Sequence, residues 1–182
     1  MRGRGERTHD RLRVLGVDPG TAVTGWGVIE RRGGAFVCIG HGTVTTRPGM
    51  TLAAKLARIY RALTDRCAEC TPDVVALEKS FVGRNVQSAF RLGEVRGVTM
   101  LVAATAGLAV AEYAPADIKL AVTGSGRAEK TQVERAIVRE LGLTPPVAAD
   151  AADALAVALC HLQTAPLRAL IAGPRDTRLV AS

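Results

Sequence analysis

The stretch at residues 14–27, VLGVDPGTAVTGWG, constrains the fold of this chain more than any other. An apolar run ends in a carboxylate, Asp18, and Pro19-Gly20 follows at once. Proline cannot donate to a strand ladder and the pair is turn chemistry, so the strand stops at the acid. After the turn, Thr24-Gly25-Trp26-Gly27-Val28-Ile29 reads as a second strand, with glycines where the backbone must approach a neighbour closely. The result is a hairpin with an aspartate at the end of a buried strand. A carboxylate placed there loses solvation, which calls for a counter-charge such as a metal ion. The plainer role is a turn-initiating Asp that bonds the next amides.

Hydrophobic periodicity organises the rest. Strands are predicted over 13–17, 24–30 and 35–46, joined by short turns into an antiparallel meander. Pro48-Gly49 ends it, and Leu52, Leu56, Ile59, Tyr60 and Leu63 then recur at helical spacing in a helix reaching about Cys70. Residues 74–78, VVALE, form a short strand that is apolar until its last residue and so buried on both faces, and it too ends in an acid, Glu78. A long helix over 85–107 follows, its second half (Val98, Met100, Leu101, Val102) reading as thoroughly buried, then a strand over 108–113 and a short helix from Pro115 to Gly124. Gly124-Ser125-Gly126-Arg127 is a basic loop. Helices over 129–143 and 148–164 complete the pattern, the last carrying Asp150 and Asp153 in its first turns. Residues 1–12 read as a basic, disordered arm, 13–165 as one domain, and 166–182 as a mobile tail.

Composition narrows what such a domain can do. At 182 residues and 48% hydrophobic, the chain fills one core. A net charge of +7 and a pI near 9.8 point to a polyanionic partner. No run approaches the roughly 18 apolar residues of a membrane span, and the basic N-terminus leads into a strand rather than a signal-peptide core, so a cytoplasmic protein without membrane partners is expected. The four cysteines, Cys38, Cys67, Cys70 and Cys160, lack a second pair at zinc-site spacing and read as reduced thiols.

A meander followed by strand-helix units makes a mixed sheet with helices on its faces, in which sites form at strand ends where connections diverge. The first and fourth strands then run parallel side by side, aiming Asp18 and Glu78 into one crevice, while Asp150 and Asp153 share one helix face at i, i+3. Acids in a first helical turn also serve as caps, which is the plainer account of that pair. Clustered carboxylates either raise their pKa values or bind hard divalent cations. Two such ions, roughly 3.5–4 Å apart, activate water and stabilise the leaving oxygen in phosphodiester hydrolysis. In a basic protein that chemistry is a nuclease's.

The blocks Leu15-Gly16-Val17-Asp18-Pro19-Gly20, Thr24-Gly25, Ala76-Leu77-Glu78, Phe81 with Asn85, Ser88, Leu92-Gly93 and Arg96-Gly97, and Asp150 through Ala156 resemble the RuvC family of Holliday junction resolvases over residues 14–162. The resemblance implies an α/β, ribonuclease-H-like fold: a five-stranded mixed sheet, three antiparallel strands then two parallel, with helices on both faces. It implies a homodimer that nicks two symmetry-related strands of a four-way DNA junction, in recombination and repair, with the RuvA and RuvB branch-migration proteins as partners. Asp18, Glu78, Asp150 and Asp153 match the family's catalytic, metal-binding acids, expected to hold two Mg2+ ions, with Mn2+ able to substitute. Phe81 matches an aromatic that stacks on a base near the crossover, and Lys119 and Lys130 match lysines near the scissile phosphate. Arg84, Arg91 and Arg127 are assigned as phosphate contacts by charge and placement only. The family motif has nothing corresponding to the basic arm, and the position after the second acid is here Lys79.

Three other readings stay open on the residues alone. An Asp-x-Gly-Thr hairpin also holds nucleotide phosphates in sugar kinases and actin-like ATPases, but those need two such domains, and that use leaves Asp150 and Asp153 unexplained. A ribonuclease of the same fold acting on RNA or an RNA-DNA hybrid, and a non-catalytic DNA-binding module whose acids are caps and turns, are the other two.

Overall fold

The computed structural model describes residues 11–79 and 86–172. Its strands are β1 (Arg11–Asp18), β2 (Val23–Arg32), β3 (Ala35–Thr45), β4 (Val74–Glu78) and β5 (Ala109–Tyr113). Its helices are α1 (Leu52–Cys70), α2 (Val86–Thr105), α3 (Pro115–Thr123), α4 (Lys130–Glu140) and α5 (Ala149–Ala172). The sheet runs β3-β2-β1-β4-β5, with β1, β2 and β3 antiparallel and the β1-β4 and β4-β5 pairs parallel.

The centres of β1 and β4, residues 14–17 and 74–77, are apolar because both faces of the sheet are covered there. Leu15 and Val17 of β1 and Val75 and Leu77 of β4 pack with Ile59 and Leu63 of α1 and Val95 and Val102 of α2. Val14 and Ala76 belong to the opposite core, with Ile118 of α3, Val133 and Ile137 of α4 and Leu155 and Leu159 of α5. Each large aliphatic side chain removed from water contributes roughly 1.5–3 kcal/mol, so these two half-cores hold the helices to the sheet. The strand period of two has a direct consequence for the acids. Val14, Gly16 and Asp18 share the α5 face of β1, and Ala76 and Glu78 share that face of β4. Both strand-end carboxylates are thereby turned towards the helix that carries Asp150 and Asp153.

Two glycines let α5 come close enough for this to matter. A Cβ on Gly16 would lie 1.9 Å from the Ala154 carbonyl oxygen, and one on Gly25 would lie 1.9 Å from that of Asp150. With alanines at 151, 152, 154, 156 and 158 on the helix side, backbone rests almost on backbone.

Several boundaries differ from the sequence expectation. β1 begins at Arg11, taking two residues of the expected arm, because Arg11 pairs across the ladder with Arg32. Arg11, Arg13 and Arg32 all hydrogen-bond to Glu30, which is 1% exposed. Burial pushes the Glu30 carboxyl up, but the bonds from Arg13, Arg32 and Arg11 outweigh it and hold the group at about 2. The second half of α2 is not wholly buried: Val102 is in the core at 2% exposed, whereas Met100 and Leu101 are 36% and 53% exposed, since one helix face alone meets the sheet. α4 stops three residues early, with Gly142 in the left-handed region just beyond it. α5 runs on to Ala172, through Pro166. An interior proline removes one amide bond and crowds the carbonyl a turn earlier, at a cost of about 3 kcal/mol, which the Ala- and Leu-rich residues around it offset in part. The four cysteines are free thiols, and burial pushes those of Cys38 and Cys67 upwards, away from reactivity.

Candidate active site

Asp18 is the last residue of β1 and Glu78 the last of β4; these strands are hydrogen-bonded neighbours, with Val17 level with Leu77. Parallel pairing therefore ends both strands at the same edge. The turn after Asp18 is held by Thr24, which is fully buried and whose hydroxyl donates to the Gly20 carbonyl at 2.7 Å. At the other side, Gly25 is paired with Asp18 and lies under the Asp150 backbone, which sets the first turn of α5 over the end of β1.

The four acids are close enough to change one another. The Asp18 carboxyl is raised from 3.8 to about 7, first by burial and then by the negative charges of Asp153, Asp150 and Glu78, with Lys130 opposing. Glu78 is raised by burial and by Asp153, with Lys119 and Lys130 opposing. Lys130, at the first position of α4, donates to Asp153 Oδ2 at 2.7 Å, and that bond raises its own pKa. Lys119, on α3, stands near enough to Glu78 to act on its charge. Among the described residues the Asp150 carboxylate accepts no capping amide.

These donors are all carboxylate oxygens gathered against their mutual repulsion, which is the chemistry of a hard divalent cation site. Among the described residues no three acidic, histidine or cysteine side chains are already drawn into a common coordination shell, and the ammonium of Lys130 is the cation paired with Asp153. The set suits the ion in charge and donor type, and carboxylate rotation with release of Lys130 would be needed to wrap it.

The remaining expected contacts are scattered around this edge. Arg91 on α2 is exposed and lines a cavity of about 160 Å³ with Thr21, Met50, Leu52 and Lys55. Arg127 is exposed in the loop before α4. Phe81 and Arg84 lie outside the described residues. Sequence reasoning gave no role to Arg96, which is largely buried and donates to both the Glu78 carbonyl and the Glu112 carboxylate, tying the end of β4 to β5. No local signal could have shown this, because the partners are 18 and 16 residues away.

Residues 14–161 match the family model described as crossover junction endodeoxyribonuclease RuvC. The chain is 46% identical over 156 residues to the crossover junction endodeoxyribonuclease RuvC of Chloroflexus aggregans, covering 85% of this chain and 95% of that protein. It is 45% identical over 154 residues to the protein of the same description from Azorhizobium caulinodans, covering 85% and 91%. Among solved structures, Thermus thermophilus RuvC in complex with Holliday junction substrate superposes with a TM-score of 0.81 at 31% identity, covering 86% of this chain and 96% of that one. The yeast mitochondrial Holliday junction resolvase shares the fold, with a TM-score of 0.61 at 10% identity and coverage of 84% and 78%.

Proposed function

Because this chain belongs to the RuvC family of crossover junction endodeoxyribonucleases, we propose that it resolves four-way DNA junctions by paired nicks, with Asp18, Glu78, Asp150 and Asp153 as the catalytic acids. The observation that carries the assignment is the convergence of these four carboxylates, from β1, β4 and α5, closely enough to lift Asp18 to about 7.

Asp18, Glu78, Asp150 and Asp153 would hold divalent cations, two Mg2+ ions with Mn2+ able to substitute. When bound, the ions supply Lewis acidity towards a phosphodiester and lower the pKa of water. The chain's own contribution is positional. Arg96 anchors the main chain at Glu78, and Gly16 and Gly25 seat α5 so that its two aspartates face the strand ends. Lys130 and Lys119 bring positive charge to the rim, Lys130 exchanging Asp153 for a phosphate oxygen as the site fills, and Arg127 and Arg91 extend that rim along the DNA backbone.

Resolution requires two nicks placed symmetrically, which one site cannot make. A two-fold dimer meets this, and α2 offers a face for it: Phe90, 71% exposed, lies on one side with Gly93, Gly97, Met100 and Leu101, where the glycines leave open space above the helix. Small residues between exposed apolar ones let two such helices approach in an isologous contact. RuvA and RuvB complete the expected partners. No helix among the described residues is long and apolar enough to cross a membrane, and we place the protein in the cytoplasm with its DNA.

The test is incubation with a synthetic four-way junction, a linear duplex and an RNA-DNA hybrid, each with and without Mg2+. Symmetric nicks on the junction alone, only with the metal, are expected. Preferential cleavage of the hybrid, or junction binding with no metal-dependent cleavage, would overturn the assignment.

A further inference from the structure

Lys130 acts on most of the acid cluster at once. Its Nζ donates to Asp153 Oδ2 at 2.7 Å, and its charge opposes the repulsion felt by both Asp18 and Glu78. One ammonium thus offsets part of the charge of three of the four carboxylates, which a divalent cation would do more fully.

The main chain beneath Lys130 is fixed and the side chain is not. Lys130 opens α4, whose Val133 and Ile137 are buried in the core shared with α5, and just before it the Glu129 amide donates to Gln132 Oε1 at 2.8 Å. The Lys130 side chain itself is 60% exposed, so its flexible stem can swing while the helix stays in place. Its own helix does not hold it, because a cation at a helix N-terminus meets the positive end of the macrodipole. A second acceptor is at hand. Glu134, one turn further along α4 and half-exposed, is near enough to act on the Lys130 charge. Lysine four residues before glutamate is the weaker order for such a pair, so Glu134 ranks behind Asp153.

A metal ion that draws on the Asp153 oxygen must displace the ammonium from it. A phosphate arriving at the rim gives that ammonium a new acceptor. By linkage, whatever draws Lys130 from Asp153 tightens metal binding, and bound metal tightens the binding of whatever receives Lys130.

We infer that Lys130 and Glu134 form a latch that couples metal loading to nucleic-acid binding: Lys130 holds Asp153 in the free protein, and Glu134 competes with Asp153 for the ammonium until a phosphate takes it. The inference rests on the reading of the four acids as a metal site that acts on DNA. It gives Glu134, which touches neither metal nor substrate, the part of a positioning residue acting through Lys130.

The test is Mn2+ binding, followed by the electron paramagnetic resonance signal of the free ion, for wild type, K130Q, E134Q and K130Q/E134Q. Each is titrated alone and with a four-way junction in which a methylene replaces the bridging oxygen at the mapped cleavage position, so that the phosphate keeps its charge and is not cut; binding by the junction alone is subtracted. Without DNA, K130Q should bind Mn2+ roughly fivefold more tightly than wild type, and E134Q roughly twofold more weakly. Glu134→Gln should change nothing in the K130Q background, where there is no ammonium left to place. The junction should tighten Mn2+ binding by wild type roughly fivefold more than by K130Q. An E134Q effect that persists in the K130Q background would show a general field and not a latch. K130Q binding no more tightly than wild type, or equal tightening by the junction in both, would likewise overturn the latch and leave the nuclease assignment standing. Failure of all four proteins to bind Mn2+, with or without the junction, would overturn the metal-site reading and the latch with it.

Discussion

Asp18→Asn separates electrostatics from catalysis better than any other substitution in this protein. The Asp18 carboxyl is raised from 3.8 to about 7 in the folded chain, by burial and by Asp153, Asp150 and Glu78. A group whose folded pKa lies above its unfolded value contributes stability that is fully present below pH 3.8 and is lost as pH rises through about 7. The full shift corresponds to about 4 kcal/mol at pH 8, and solvent screening of a half-buried group reduces the expected figure to roughly 2 kcal/mol. Asparagine keeps the shape, offers its amide protons to the neighbouring carboxylates and does not titrate. In a metal chelator the variant should therefore melt above wild type by roughly 4–8 °C at pH 8. The gap should shrink towards nothing as pH falls to 4. Adding Mg2+ should raise the wild-type melting temperature and narrow the gap, because the ion binds the folded wild type preferentially. Cleavage should be abolished while junction binding is retained or improved, since a repulsive charge has left the phosphate site. Thermal melts by circular dichroism from pH 4 to 8, with a gel assay of the same preparations, measure all of this. Equal melting temperatures across the series, or a gap that widens towards acid, would refute the mutual-repulsion argument; nicking that survives would refute the catalytic role.

Gly25→Ala places a methyl group 1.9 Å from the Asp150 carbonyl oxygen; it should cost about 1–3 kcal/mol or more in a chemical denaturation series and depress cleavage beyond that loss, because α5 must shift. Glu30→Gln removes a buried carboxylate whose pKa is held at about 2 by Arg13, Arg32 and Arg11. That group contributes stability above its unfolded value of 4.5 that is lost as pH falls towards 2, so the variant should be less stable at pH 7, by roughly 1–2 kcal/mol once screening by solvent around the exposed arginines is allowed for, and the deficit should fade in acid. Leu101→Glu, on the exposed face of α2, should give a folded monomer by light scattering that leaves a junction-bearing plasmid mainly singly nicked; an unaltered dimer would move the interface elsewhere.

Local chemistry alone placed Asp18 and Glu78 at strand ends, since Pro19-Gly20 cannot continue a strand and the apolar run 74–77, buried on both faces, stops at the acid. It also placed Asp150 and Asp153 on one helix face, and the blocks containing these acids carried the family resemblance. Helix and strand limits were less legible wherever burial was decided by a partner. Arg11 joined β1 because Arg32 and Glu30 lie across the ladder, and Leu101 stayed exposed because α2 meets the sheet on one side only. Tertiary structure alone decided how near α5 lies to β1, which depends on missing Cβ atoms at Gly16 and Gly25 meeting a helix more than 120 residues away. It likewise decided that Lys130 answers Asp153 and that Arg96 holds the Glu78 carbonyl. The physical reason is that turn, strand and helix preferences act over a few residues, whereas a pKa, an ion pair or a groove depends on distance and burial, which sequence separation does not encode.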